Sequence, residues 1–461
     1  MLQRATTLEE AYNTLFPEPL MTTEELEAFY SPELNEVRGD DRVARLTFRL
    51  ERAAGGFSKA FLMGHPGVGK STELSRLVRR VEKKYSVIRF STTSELDPIS
   101  FRPFDVLLFM VAEVAERTAR PIVEGGAGQP PSPARLRELQ DWFAEEKISV
   151  MRERRTEGAV GAGVGLEGDG LWANVLGLFA NLKGEVKYVA DRKRELVEYR
   201  LSRLSTLIDL ANRLLDDCNQ RLQEAIGKEW LIIGEDFDKP GVTPERVEEL
   251  FLTYANVVKD LRTHLVFTIP IALGYSTQAH RLPAPSLTTT ILDTPVFDAE
   301  HAKHRGGRSA LRSLLAARVD PGLFSPGVIE RLVVASGGNL RDLLLLAREA
   351  VEEALLSGRQ KVGKPQAAAV VDRLRLDYTR LLGESPYDRE QIPYREKAER
   401  LVRIYGNEPD ARIPDAVLYS LFHSRAVQEF NSEGWIGVHP LVVDILKSQQ
   451  RLPADAAGGT G

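Results

Sequence analysis

The chain has 461 residues, of which 43% are hydrophobic and 28% charged, and its formal net charge is −5. This length is too great for one compact core, and at about 150 residues a domain it predicts about three domains. The slight acidity gives no global reason to expect nucleic acid or acidic lipid as the main partner. A single cysteine, Cys218, excludes an internal disulfide framework and a multi-cysteine zinc site and fits a reducing cytosol.

The first residues lack the apolar core of a signal peptide, and no run approaches the ~20 apolar residues of a membrane-spanning helix. We therefore expect a cytoplasmic protein without a membrane span. Residues 1–36 are acidic and read as helical, with Thr22-Thr23-Glu24-Glu25 as a helix start. Arg38 and Gly39 follow, and then a helix to about Ala54.

Residues 64–72, Gly-His-Pro-Gly-Val-Gly-Lys-Ser-Thr, match the phosphate-binding pattern G-x-x-x-x-G-K-[ST] at every fixed position. A buried strand, 59–63, precedes the loop, and an amphipathic helix from Thr72 to Tyr85 follows it. Glycines permit a backbone path whose N–H groups point at phosphate oxygens. Lys70 is expected to reach the β and γ phosphates and Ser71 to offer its hydroxyl to Mg²⁺. All nine residues, Gly64, His65, Pro66, Gly67, Val68, Gly69, Lys70, Ser71 and Thr72, are predicted to bind a nucleoside triphosphate.

A second strand, 85–90, and a buried helix, 104–117, come next, and residues 121–228 read as an insertion. A glycine-rich segment, 158–170, precedes apolar residues 171–182 and is typical of a packed hairpin, an oligomer contact or a membrane-touching element. Val197, Leu201, Leu204, Ile208, Ala211, Leu215, Cys218 and Leu222 share one face of a long helix. That helix is either a coiled-coil arm or a helix packed along its own domain.

Trp230 to Gly234 form an apolar run that ends in clustered carboxylates, as an ATPase acid strand requires. Glu235 is predicted to hold Mg²⁺ and Asp236 to act as the base on the attacking water, although the assignment can slip by one residue. Thr268, in the strand 265–270, is a candidate γ-phosphate sensor or a residue of strand propensity only. Arg281 is a candidate arginine finger or a solvated surface residue, and a further strand is expected around 291–297.

From Ser309 the chain reads as helical, and 324–358 resembles a small lid. The lid contains the sequence Gly337-Gly338-Asn339-Leu340-Arg341 at the start of a helix. Arg341 is expected either to contact the phosphates when the lid closes or to be a solvated residue at a helix start. The last part, with helices at 395–404 and 415–423, a hairpin at 427–438 and a helix at 441–447, has the order of a winged helix. Acidic residues outnumber basic ones from residue 385 onward, and the second helix is mostly apolar, so a packing role fits better than DNA binding.

These motifs together resemble the AAA+/STAND group of ATPases, including NB-ARC, NACHT, KAP and origin-recognition proteins. The resemblance spans about two thirds of the chain and implies ATP or ADP with Mg²⁺ as cofactors. The Arg38-Gly39 pair resembles an adenine-side box, although a turn and helix cap explain it equally well. Val438-His439-Pro440-Leu441 is similar to the Met-His-Asp-Leu motif of NB-ARC winged helices, which implies that His439 contacts ADP, with Pro440 in place of the aspartate. A histidine that caps a hairpin explains this residue equally well. The lid glycines and Arg341 are more similar to the sensor arginine of origin-recognition ATPases.

The expected fold is α/β, a P-loop NTPase of ASCE/AAA+ type with a parallel sheet, a largely helical insertion, a helical lid and a C-terminal winged helix. The expected parts are an N-terminal helical segment (1–36), an ATPase domain (37–322) with insertion 121–228, a lid (323–384), a winged helix (385–453) and a flexible tail (454–461).

The favoured hypothesis is a slowly hydrolysing ATP switch, whose nucleotide state controls homo-oligomerisation or engagement of a separate effector or sensor protein. Bacterial defence or signalling is implied by resemblance only. The alternatives are a DNA-associated loader of the origin-recognition or transposition type, and a nucleotide-binding scaffold without turnover.

Overall fold

The computed structural model describes residues 3–53, 56–139, 141–142, 204–239, 241–282, 288–384, 388, 391–430 and 435–453. Four predicted features lie outside the described residues: the glycine-rich segment with its apolar continuation to 182, the helical positions Val197 and Leu201, the hairpin turn 431–434 and the tail 454–461.

Five parallel strands form the central sheet, in the order β2-β3-β4-β1-β5. They are β1 (Lys59–Gly64), β2 (Tyr85–Ser91), β3 (Glu229–Glu235), β4 (His264–Pro270) and β5 (Thr288–Thr290). Side chains of β1, β3 and β4 are buried almost throughout, as expected for a parallel sheet covered on both faces. Strand β4 lies between the strand of the phosphate loop and the strand that ends in carboxylates. This order and the loop after β1 confirm the predicted P-loop fold of AAA+ type.

The edge strand differs from the expectation. The predicted strand at 291–297 is wrong, because β5 ends at Thr290 and the residues that follow have no regular pairing in the sheet. Asp293 and Thr294 instead make polar contacts with His65 and Arg38, described below. These tertiary contacts override the strand propensity of the apolar residues around them.

Helices of the N-terminal part are α1 (Leu8–Thr14), α2 (Thr23–Phe29), α3 (Glu33–Val37), α4 (Arg42–Glu51), α5 (Lys70–Val81), α6 (Thr92–Glu95) and α7 (Pro103–Ala119). Those of the middle part are α8 (Leu204–Ile226), α9 (Pro244–Glu248) and α10 (Asn256–Lys259). Short 3₁₀ or π segments are Ile122–Glu124, Glu249–Thr253, Ile271–Tyr275, Ala279–Arg281, Pro321–Leu323 and Pro409–Arg412. The predicted helix start at Thr22 is confirmed, because Thr22 and Glu25 form a reciprocal capping box at α2.

The two faces of the sheet carry separate apolar cores. Helices α4 and α5 cover one face, and α7 and α8 cover the other. The apolar face of α8 is buried against α7 and the sheet, with Cys218 completely buried in it. The described part of this long helix therefore packs along its own domain rather than projecting as an arm.

The C-terminal part is helical around one further core. Its helices are α11 (Arg305–Arg318), α12 (Val328–Ala335), α13 (Leu340–Leu356), α14 (Lys364–Leu381), α15 (Tyr394–Tyr405), α16 (Ala416–His423) and α17 (Pro440–Ser448), and its antiparallel hairpin joins β6 (Val427–Phe430) to β7 (Trp435–Val438). The order of α15, α16, the hairpin and α17 confirms the predicted winged helix. Apolar residues of α1, the lid and the winged helix share this core. Within the described ranges, no helix combines the length and apolar character required to cross a bilayer.

Candidate nucleotide site

The phosphate loop joins β1 to α5 with three glycines in positive-φ conformations. Gly64, Gly67 and Gly69 have φ values of 148°, 93° and 101°. Gly69 is the N-cap of α5 in the left-handed region, where a side chain would be strained. The first turn of α5 therefore presents free N–H groups and the positive end of its dipole on the side where an anion would bind.

Lys70 is the first residue of α5, and its ammonium group makes three contacts. The Nζ atom donates to the carbonyl oxygens of Gly64 and His65 at 2.8 and 2.7 Å. It also forms an ion pair with Asp238 Oδ2 at 2.7 Å, and both side chains are only 6% exposed. Asp238 was not among the predicted site residues. Its signal in the sequence was a third carboxylate two residues beyond the predicted base.

Glu235, the predicted metal residue, ends β3 but does not line the pocket. Its carboxylate pairs with the guanidinium of Arg89 in β2 through two hydrogen bonds, one of them 2.9 Å long from Nη2. Arg89 also donates to Ser75 Oγ at 2.9 Å and to the Ser71 carbonyl oxygen at 3.0 Å. A role of Glu235 on Mg²⁺ remains a prediction, and it requires Arg89 to release the carboxylate. Arg89 was detectable as the one cation inside an apolar strand.

Asp236, the predicted base, lines the pocket immediately after β3. It has φ of 69°, a conformation that is uncommon outside glycine and often found at functional sites. Its backbone N–H donates to Thr268 Oγ1 at 3.0 Å, which fixes the turn to the neighbouring strand. Its carboxylate accepts from Ser91 Oγ at 2.5 Å and pairs with Lys239 at 2.9 Å. Thr268, the predicted sensor, is buried and lines the same pocket.

The lid contacts two backbone carbonyl oxygens of the phosphate loop. Asn339 caps α13, and its Nδ2 donates to the Pro66 carbonyl oxygen at 2.9 Å. The backbone N–H of Arg341 donates to the Gly67 carbonyl oxygen at 3.1 Å. The Arg341 side chain lines the pocket, as predicted, and forms no ion pair with any described carboxylate. Asn339 was missed, although its position before an amphipathic helix indicated a cap.

The N-terminal segment forms another wall of the pocket. Arg38 is buried, and its Nη1 donates to the Val68 carbonyl oxygen at 3.1 Å and its Nε to Thr294 Oγ1 at 3.0 Å. Burial lowers the pKa of Arg38. Gly39 has φ of 109° in the turn that follows and does not line the pocket. The Leu20 N–H donates to Thr72 Oγ1 at 3.1 Å. Sequence reasoning missed this wall, which is lined by Pro17, Glu18, Pro19, Leu20, Phe29, Tyr30, Ser31 and Leu34.

Besides Gly39 and Glu235, four predicted residues do not line the pocket: Gly64, His65, His439 and Arg281. His65 is buried, its Nδ1 is 2.6 Å from Asp293 Oδ2, and its ring stacks on Phe422 of the winged helix with centroids 5.9 Å apart. His439 caps α17, stacks on Tyr378 at 4.2 Å and is completely buried, which lowers its pKa to about 3. Arg281 is exposed and donates only to Gln278 within the described residues.

The pocket residues suit a magnesium nucleotide. The pocket lies between the loop, the residues that follow β3, the N-terminal segment and the lid. A cation, free loop amides and the Ser71 hydroxyl face one part of it, together with the carboxylates of Asp236 and Asp238. Two buried donors on residues that line it, Arg38 Nη2 and Arg318 Nε, have no hydrogen-bond partner among the described residues. Such donors require an acceptor from a ligand or from water.

No protein-family model and no curated protein matches the chain. Among solved structures, the chain is similar to the ORC1 protein of Aeropyrum pernix in complex with DNA, with 14% identity, a TM-score of 0.37 and coverage of 95% of this chain and 98% of that one. It is also similar to the ORC2 protein of the same organism in ADPNP and ADP complexes, with 12% identity, a TM-score of 0.38 and coverage of 96% and 98%. A third similar structure is a Walker-type ATPase of Pyrococcus abyssi, with 13% identity, a TM-score of 0.38 and coverage of 94% and 99%. These similarities are distant, and the fold assignment rests on the sheet order and the phosphate loop.

Proposed function

We propose that the protein binds ATP and ADP with Mg²⁺, hydrolyses ATP slowly and acts as a nucleotide-operated switch. The proposal is supported most by one observation: the loop that would hold the phosphates is also the surface on which the lid docks. Two lid hydrogen bonds end on the Pro66 and Gly67 carbonyl oxygens. A ligand that shifts this loop must therefore shift the seating of the lid.

In this proposal the pocket residues divide the work by chemistry. Lys70 and the loop amides hold the β and γ phosphates, and the Ser71 hydroxyl and nearby carboxylates hold Mg²⁺. Mg²⁺ would supply charge neutralisation at the phosphates. Asp236 orients and deprotonates the attacking water. The Thr268 hydroxyl holds Asp236 in position by accepting a hydrogen bond from the Asp236 backbone N–H. Arg341 stabilises the γ phosphate from the lid.

The winged helix is part of the closed arrangement in this proposal. Phe422 of α16 stacks between Tyr275, at 3.8 Å, and His65 of the phosphate loop. Arg425 also pairs with Asp342 of the lid helix α13 at 3.1 Å. In a DNA-bound loader, α16 is the helix that would enter the major groove, and here its aromatic face packs against the ATPase core. This packing favours the switch over the loader.

The switch would act on itself or on a separate effector protein, and a role in bacterial defence or signalling is the biological context we propose. The experiment measures the molecular mass of the purified protein in solution with ADP, with ATP and with a non-hydrolysable ATP analogue. We expect a larger assembly with ATP or the analogue, and we expect Lys70→Ala to abolish it. Arg281→Ala should reduce assembly while leaving nucleotide affinity unchanged, because Arg281 is exposed and outside the pocket.

An unchanged monomer in all three conditions would contradict nucleotide-driven self-assembly. A salt-dependent complex with duplex DNA under the same conditions would instead support the loader, since phosphate contacts make such binding strongly dependent on salt.

A further inference from the structure

A second region of the pocket has the character of a nucleoside site. Its apolar part is formed by Phe29 and Leu34 of the N-terminal segment, by Leu314 of α11 and by Leu344 of the lid. These side chains could pack against the faces of a flat ring. The polar part of the same region consists of two buried arginines, Arg38 and Arg318.

Arg318 is the last residue of α11, and its side chain reaches from this helix to the N-terminal segment. It is 3% exposed, and its Nη1 donates to the carbonyl oxygens of Phe29 and Leu314 at 3.3 and 3.2 Å. Its guanidinium also lies 4.9 Å from the ring centroid of Phe29. It forms no ion pair with a carboxylate in the described part of the chain.

Both arginines keep a buried N–H group without a partner. Arg318 Nε and Arg38 Nη2 are inaccessible and have no hydrogen-bond partner among the described residues. A buried guanidinium without a carboxylate is costly, and burial accordingly lowers the pKa of Arg318 to about 10. Unpaired buried donors are rare in proteins, and these two belong to residues that line one pocket, where a ligand can supply the acceptor.

We propose that Arg318, together with Arg38, donates hydrogen bonds to acceptor atoms of the nucleoside, a base ring nitrogen or oxygen. Arg318 thereby makes the pocket select a nucleotide over a bare polyphosphate. This inference rests on the proposed function, and it assigns to a residue outside every recognised motif the recognition of the nucleoside. Because Arg318 also holds Phe29, the nucleoside would tie the N-terminal segment to α11.

The test compares the binding of ADP and of inorganic pyrophosphate by calorimetry, using the full chain and Arg318→Met. Hydrogen bonds to a charged donor predict that ADP affinity falls about 10- to 100-fold, while pyrophosphate affinity changes less than about twofold. Arg312→Met is the matched control, because Arg312 lies on the same helix, is 52% exposed and pairs with Glu330 on the surface. It should change neither affinity.

Arg318→Lys is a second variant in case Arg318→Met does not fold. It keeps a cation for the two carbonyl oxygens but removes the planar guanidinium group. It should lose ADP affinity as Arg318→Met does. Wild-type ADP affinity in Arg318→Lys, or an equal loss of ADP and pyrophosphate affinity in Arg318→Met, would overturn the inference. Failure of the unmodified chain to bind either probe would instead contradict the proposed nucleotide function.

Discussion

The ion pair between Lys70 and Asp238 predicts that Asp238→Asn strengthens the binding of ADP in the absence of Mg²⁺. A phosphate group that binds the Lys70 ammonium must displace the Asp238 carboxylate, whose Oδ2 lies 2.7 Å from Nζ. At that distance and an effective dielectric constant near 20, the attraction is about 6 kcal/mol before desolvation. Desolvation offsets most of this in a buried pair, and a net remainder of about 1.4 kcal/mol corresponds to a tenfold change in Kd.

The assay is a calorimetric titration of ADP, with EDTA and then with Mg²⁺. We expect Asp238→Asn to bind metal-free ADP about tenfold more tightly than the unmodified chain. Asp236→Asn is the matched control, since Asp236 lines the same pocket but pairs with Ser91 and Lys239 rather than with Lys70. If Asp238→Asn binds metal-free ADP no more tightly than the unmodified chain does, Asp238 does not compete with the phosphates for Lys70. Lys70→Ala should weaken binding in both conditions.

Two further predictions concern stability. Arg89→Met leaves the buried carboxylate of Glu235 unpaired and should lower the free energy of unfolding by about 3 kcal/mol in urea; adding Glu235→Gln should recover most of this, and no recovery would mean that Arg89 acts by packing. Burial lowers the pKa of Lys59 from 10.5 to about 7. Above pH 7 the unfolded chain therefore holds more protons than the folded protein, and stability should rise by about 2 kcal/mol from pH 7 to 9. Urea unfolding at both pH values should show a smaller rise in Lys59→Met, and an equal rise would exclude Lys59 as its source.

Local signals in the sequence were sufficient for the elements that carry the phosphate loop. The loop pattern, the apolar strands beside it and the capping box at Thr22 depend on neighbours in sequence, and the structure contains each of them. The winged helix followed from its order of helices and hairpin for the same reason.

Contacts between distant parts of the chain were not predictable in this way. Arg89 meets Glu235 only because β2 pairs with β3, and the insertion separates these strands in sequence. The wall formed by residues 17–34 depends on how the N-terminal segment packs on α11, which no periodicity in the sequence indicates. The strand predicted at 291–297 failed because Asp293 is drawn to His65, a tertiary contact that propensity cannot anticipate.

Gly67 illustrates how the lid constrains the loop that it covers. The phosphate-binding pattern leaves this position unspecified, since it is one of the four variable residues between the fixed glycines. In this protein a side chain there would collide with Asn339 Oδ1 and lie 2.8 Å from the Cβ of Arg341. A larger residue would therefore keep the lid from its seat, and at φ of 93° it would also strain the loop itself. Glycine at position 67 thus serves two purposes, the path of the phosphate-binding backbone and the space that the lid occupies.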